Sequence, residues 1–254
     1  MGQITDADRY NYLLGIADNS LILGQRLGEL CGHGPNLETD IALTNIALDL
    51  FGQVRSYYQY AAKLRGEGAT EDDVAYVRTE REYRNVLLVE QPNTHFGYVI
   101  GRQHLFDRYH LLFLEQLQHS SDETLAAIAR KSIKEVQYHC RFSGDWLKRL
   151  GDGTPESHEK MQEAVNDLWP FTNELFEASK QDLPAIETGI GVDLAALKEP
   201  YLEAIRETLE DATLTVPDIQ FFQKGGKEGI HSEHMGYLLA DLQYMQRTYP
   251  NMTW

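Results

Sequence analysis

Only two cysteines, Cys31 and Cys140, occur among 254 residues. That excludes a disulfide framework, and unpaired thiols suit a reducing compartment. Proline is scarce too, with eight residues, and no Ser/Gly-rich or low-complexity stretch divides the chain, so one domain over 1–254 is expected. Basic residues are in deficit: 23 Lys and Arg face 39 Asp and Glu, a formal net charge of −16. A nucleic-acid surface needs clustered bases to displace counterions from phosphates, so that class is set aside, and adsorption to anionic membranes with it. No apolar run nears the ~20 residues of a membrane span. The start MGQITDADRY lacks an apolar secretion core, and Asp6 stands where an N-myristoylation signal needs Ser or Thr. These absences predict a cytoplasmic protein.

What the chain has in abundance is helical periodicity. Thr5, with Asp6 and Asp8 behind it, predicts the cap of a first helix to about Leu30, and CGHGP (31–35) stops it. Asn36 opens a second helix. On it Leu43, Ala47, Leu50, Val54, Tyr57, Ala61 and Leu64 recur by fours and threes as an inward seam, until GEGA near residue 66. Residues 70–93 read as a helix and crossover ending at QPN, and a third helix follows from about Thr94 to Gln118. Ser120 with Glu123 reads as a capping box for a fourth helix, whose seam holds Leu125, Ala129, Ser132, Val136, His139, Ser143, Trp146 and Leu150. Thr154 and Pro155 start a fifth, to about residue 179. Beyond it the signal thins to a helix over 193–211, an extended piece at 213–216, the loop FFQKGGKEG and a last helix over 231–248. Four helices of about 25–30 residues, with a long link between second and third, predict an all-α, ferritin-like four-helix bundle with additional C-terminal helices.

Such bundles hold paired metals with one carboxylate on each of two helices and a Glu-x-x-His pair on each of the others. Two iron ions need bridging anionic oxygens to offset their charge, plus an imidazole each, with positions open for dioxygen. The seams here offer Leu21, Leu50, Gln53, Asp107, Val136 and His139 at the corresponding level. One carboxylate and one imidazole cannot hold two irons. A rotated register stays open, because Asp49 with Gln53 and Glu135 with His139 are also same-face pairs, and Glu29 lies further along the first helix. That set, Glu29, Asp49, Asp107, Glu135 and His139, defines an active di-metal oxygenase or oxidase as the alternative. The plain reading of His139 and Asp107 is a buried pair, or two groups each hydrogen-bonded elsewhere.

Other motifs are weaker. GGKEGIHSEH (225–234) could cradle an anion such as a CoA phosphate near Lys224 or Lys227, or bind a metal through His231, Glu233 and His234. Against both stands a flexible turn with Ser232 or a neighbour capping the last helix. TGIGVD (188–193) has too few glycines for a dinucleotide site. The second helix carries Tyr57, Tyr58 and Tyr60 on more than one face, so it has a second surface to bury, in the core or against another subunit.

Six stretches carry a family resemblance: LGQRLGELCGHGP (23–35), ALDLFGQVRSYYQYAAKL (47–64), NVLLVEQPN (85–93), IKEVQYHCRFSGDWLKRLGDGT (133–154), MQEAVNDLWPFTNELF (161–176) and GGKEGIHSEH. Together they resemble the non-catalytic C subunits of bacterial ring-1,2-phenylacetyl-CoA epoxidases. The resemblance implies a related catalytic subunit with a DEAGH-type motif on its second helix, where this chain reads DLFGQ (49–53), and a KEESFH-type motif on its fourth, where this chain reads KEVQYH. Leucine then stands for one ligating glutamate (Leu50), glutamine for a histidine (Gln53) and valine for another glutamate (Val136). Asp107 and His139 are retained, and Leu21 replaces the first-helix acid. It further implies no catalytic residue, metal or cofactor in this chain. A di-iron centre is expected in the catalytic partner, a small additional subunit in the complex, and phenylacetyl-CoA is met only through that complex, in aerobic phenylacetate catabolism. A stand-alone CoA-thioester binder is the remaining reading.

Overall fold

Thr5 accepts from the backbone N–H of Asp8 while the Asp8 carboxylate returns to Thr5, and this capping box starts α1 (Asp6–Gly28). The computed structural model describes residues 4–250 and 252. Asn36 caps α2 (Leu37–Arg65) by accepting from Thr39 N. Between α1 and α2 the Asp40 carboxylate takes the N–H groups of Gly32 and Gly34, which closes the connection tightly. α1 and α2 form one hairpin, and α4 (Phe96–Leu117) and α5 (Glu123–Gly151) the other.

The link between the hairpins is mostly not helical. It holds α3 (Glu71–Tyr76) and two 3-10 turns, Glu80–Glu82 and Leu87–Glu90. The second turn is buried, so its carbonyls need donors, and two buried arginines supply them. Arg26 donates from Nε and Nη2 to Glu90 O at 3.1 and 2.8 Å. Arg102, wholly buried, donates to Gln91 O and to Asn93 Oδ1. Burial, with Arg26 close by, brings Arg102 down to about 9, still charged at neutral pH.

Three expectations need correction. The cap of α5 is Asp122 rather than Ser120: Asp122 accepts from Thr124 N and Leu125 N, while the Ser120 hydroxyl is engaged with Ile190 O. The fifth helix, α6 (Pro155–Leu168), stops well short of residue 179. Pro170 brings no N–H to continue the ladder, and 3-10 turns at Trp169–Phe171 and Asn173–Phe176 take over. The helix expected over 193–211 begins only at Lys198, after a 3-10 turn at Ala195–Leu197, and the piece at 213–216 that follows it is pinned by Thr215 N to Gln162 Oε1.

Beyond these come α7 (Leu183–Glu187), α8 (Lys198–Asp211) and α9 (Glu233–Thr248). α6 and α8 pack on α4 and α5, and α9 on α3. One hydrophobic core runs from Tyr12 on α1 to Leu239 on α9. The fold is a ferritin-like helical bundle with C-terminal helices added. Among the described residues no helix is long and apolar enough to cross a membrane.

Candidate functional site

Leu50 and Val136 are both 0% exposed, each on the inward seam of its helix. On α4 and α5, Gln103, His104, Asp107 and Ser143 hydrogen-bond to one another. Gln103 Nε2 donates to Asp107 Oδ1 at 2.6 Å, and Ser143 Oγ donates to Asp107 Oδ2 at 2.8 Å. His104 Nδ1 lies 3.1 Å from that same hydroxyl. Burial lowers His104 to about 3, so its ring is neutral; with Ser143 donating to the acid, Nδ1–H donates to Ser143. Gly144 makes room for the ring, since a Cβ there would meet His104 Cε1 at 3.2 Å. Burial raises the Asp107 carboxyl to about 7, against the opposing pull of its two hydrogen bonds.

His139 turns the other way. Its Nε2 is 3.0 Å from Asp49 Oδ2, at the α2–α5 seam, where Asp49 is 38% exposed and His139 is not exposed at all. Burial lowers the His139 pKa, outweighing the hydrogen bond and charge of Asp49 and the charge of Glu135. The neutral ring therefore donates Nε2–H to the carboxylate and leaves Nδ1 buried without a partner. Next along the seam, Gln53 Nε2 donates to Glu135 Oε2 at 3.0 Å.

The nine positions singled out from sequence thus separate. Asp49 and Gln53 on α2 meet His139 and Glu135 on α5 as two side-by-side pairs. Asp107 belongs to a different cluster, on α4 and α5. Glu29 lies at the exposed end of α1, held by Arg26 at 3.0 Å and by Asn93. Leu21 lines a cleft of about 460 Å³ with Phe51, Val54, Tyr58 and Ala75. The rotated-register set of Glu29, Asp49, Asp107, Glu135 and His139 is not gathered. Among the described residues no group of three or more His, Cys, Asp or Glu side chains could hold a metal ion. A di-iron centre does not fit these residues: Asp107 has both oxygens occupied, and aliphatic side chains fill the neighbouring seam positions.

The structure also holds carboxylates that spacing did not single out. Asp18, 0% exposed on α1, forms a two-pronged pair with Arg78 at 2.6 and 2.8 Å and accepts from Arg84 N and the Tyr58 hydroxyl. The Arg78 guanidinium lies 4.1 Å from the Tyr83 ring centroid. Glu174 accepts from Leu87 N and Gly225 N at 2.8 Å and from Lys227 N at 3.3 Å. Glu90 accepts from Ser232 N at 2.6 Å and faces His231 Nδ1 at 2.9 Å, while His231 Nε2 faces Tyr83 O.

GGKEGIHSEH is therefore a fastened segment rather than a flexible turn. Its backbone donors already cradle anions, and those anions are the protein's own carboxylates. Ser232 occupies the cap position of α9, with no hydrogen bond from its hydroxyl to the helix. Gly226 is obligatory for the fit, because a Cβ there would lie 2.2 Å from Asn85 O. Nothing local marks these contacts, since Glu90 and Ser232 are 142 residues apart.

Compared with known proteins, the chain matches the phenylacetic acid catabolic protein family over residues 1–254. It is 50% identical over 243 residues to a protein of Escherichia coli (strain K12) named as the C subunit of 1,2-phenylacetyl-CoA epoxidase. The match covers 96% of this chain and 98% of that protein.

Proposed function

The chain belongs to the phenylacetic acid catabolic protein family, and from that premise we propose that it is the non-catalytic, structural subunit of a 1,2-phenylacetyl-CoA epoxidase. In this reading it pairs in the cytoplasm with a related catalytic subunit that holds the di-iron centre, and a small further subunit completes the complex. Phenylacetyl-CoA meets this chain only through that complex. The chain carries no cofactor of its own.

One observation carries the reading: Leu50 and Val136 fill seam positions from which carboxylates would have to reach paired metals. Buried apolar side chains supply neither charge nor lone pairs, so two ferric or ferrous ions there would keep an uncompensated charge in a low-dielectric core. The polar residues left over act as hydrogen-bonded core groups. The 50% identity, over nearly the whole length, to a protein named as an epoxidase C subunit supports the same assignment.

Metal analysis tests it. The chain purified alone is expected to hold no stoichiometric iron and to turn over no phenylacetyl-CoA, while the complex with the catalytic subunit carries iron in the catalytic chain. Two tightly bound iron ions in the lone chain would overturn the reading. Asp107→Ala adds a second arm: in a scaffold it changes stability alone, and in a live centre it releases metal.

A further inference from the structure

We infer that the outer face of α2 and α5 receives the catalytic partner, which meets it with an apolar ridge flanked by carboxylates. The inference rests on the pairing proposed above and adds where, and with what chemistry, the pairing occurs.

α2 buries one side and leaves another bare. Leu37, Ile41 and Leu48 are 69, 50 and 60% exposed, and at 100° per residue they fall within about 40° of one another on the helix. This is one stripe of large aliphatic side chains, unlike the scattered apolar residues of an ordinary surface. Gly52 continues the face without a side chain, and open space surrounds the position of its missing Cβ.

Across the seam, α5 gives the face its charge. That helix carries six Lys and Arg against three Asp and Glu, in a chain whose acids outnumber its bases 39 to 23. Lys131, Lys134 and Arg141 are exposed on its outer side around Tyr138. Among the described residues Lys131 and Lys134 make no ion pair, and Arg141 stacks over the Tyr138 ring at 5.8 Å. Toward Trp146 the face carries Glu38 and Asp145 beside Arg149, so the basic rim is confined to Lys131, Lys134 and Arg141, and there it selects partner carboxylates.

Shape and size agree. α2 and α5 leave two shallow concavities along their seam. One, of about 490 Å³, lies between Ala42 and Trp146 and reaches Tyr138; the other, of about 240 Å³, lies between Gly52 and Lys131. Two helices of 29 residues give a face about 40 Å long and about 20 Å wide, on the order of 800 Å², as one side of a stable protein interface requires. Grooves this open suit a helix laid along them better than a small ligand enclosed in a pocket.

The test uses the full chain with the catalytic epoxidase subunit as probe, by titration of purified proteins. Ile41→Asp with Leu48→Asp is expected to weaken association about a hundredfold or more, and Lys131→Glu with Lys134→Glu about tenfold, more at low salt. Both double variants change exposed side chains, and unchanged helix content and Tm verify the fold. Tyr237→Asp with Tyr244→Asp, on the exposed side of α9, serves as the control and is expected to bind as wild type. Wild-type binding that survives the α2 and α5 changes but not the α9 change overturns the face and leaves the pairing standing. Failure of the wild-type chain to associate overturns both. Self-association lost on the α2 change, with partner binding intact, overturns the occupant, because the face is then a homodimer surface.

Discussion

The centre of the bundle and the crossover beside it both bury carboxylates, and they treat them differently. Around the crossover the buried acids have several donors each: Asp18 takes a guanidinium, a hydroxyl and a backbone N–H, and Glu174 takes three backbone N–H groups. At the centre, Asp107 has two donors, but its neighbours Gln103 and His104 each keep a buried polar atom without a partner, as do Gln53, Tyr57 and His139. Idle polar atoms occur in both places, Asn85 Oδ1, Arg102 Nε and Ser232 Oγ among them at the crossover. The two regions therefore differ in how their carboxylates are held: by a guanidinium and backbone N–H groups there, by neutral side chains alone at Asp107.

The largest effect should come from breaking the crossover side. Arg78→Ala strands the Asp18 charge in a buried site and should cost about 3–5 kcal/mol, a large share of a typical domain's stability. Urea denaturation would read this as a lowered midpoint, and a loss below 1 kcal/mol would show the pair to be dispensable.

Asp107→Asn sharpens the contrast from the other side. With the carboxyl raised from 3.8 to about 7, the native state holds a proton that the unfolded chain has already lost. Stability from this group is therefore full below about 4 and falls as pH rises toward about 7, by at most on the order of 4 kcal/mol. The amide removes that dependence and can donate from Nδ2 to the idle Gln103 oxygen after a flip of its neighbour. The variant should match wild type near pH 4 and be the more stable at pH 8, as stability curves across that range would show.

A smaller effect belongs to His231. Burial disfavours its charged form, but the hydrogen bond and charge of Glu90 prevail and raise its pKa above 6.5. Its contribution is present below 6.5 and is lost as pH rises through the raised value. Hydrogen exchange at the Ser232 amide should quicken over that rise in wild type and show no such step in His231→Gln.

Much of the fold was legible because helix signals are local. The α2 seam, the Thr5 and Asn36 caps and the Thr154–Pro155 start all depend on residues within one or two turns. Where a local rule had two candidates it misled: Ser120 fitted a capping box, but its hydroxyl had a tertiary partner in Ile190 O. At the site, sequence named Asp107, His139, Asp49, Gln53 and Glu135 and offered His139 and Asp107 as a buried pair or as two groups each bonded elsewhere. The structure takes the second, with His139 on Asp49 and Asp107 on Gln103 and Ser143. Helical spacing assigns a face only to within a fraction of a turn, and Asp49 stands one residue from Leu50 on the border between core and seam.

The sequence by itself determined a long-helix bundle with aliphatic residues where ligand carboxylates would be sought, since periodicity and side-chain identity are properties of the chain. Only the tertiary structure decided that His139 serves Asp49, that Asp107 serves Gln103 and Ser143, and that Glu90 and Glu174 hold the 225–234 segment. The reason is physical: a buried polar group takes whichever partner three-dimensional packing brings within about 3 Å, and nothing in linear spacing ranks partners 90 or 142 residues away.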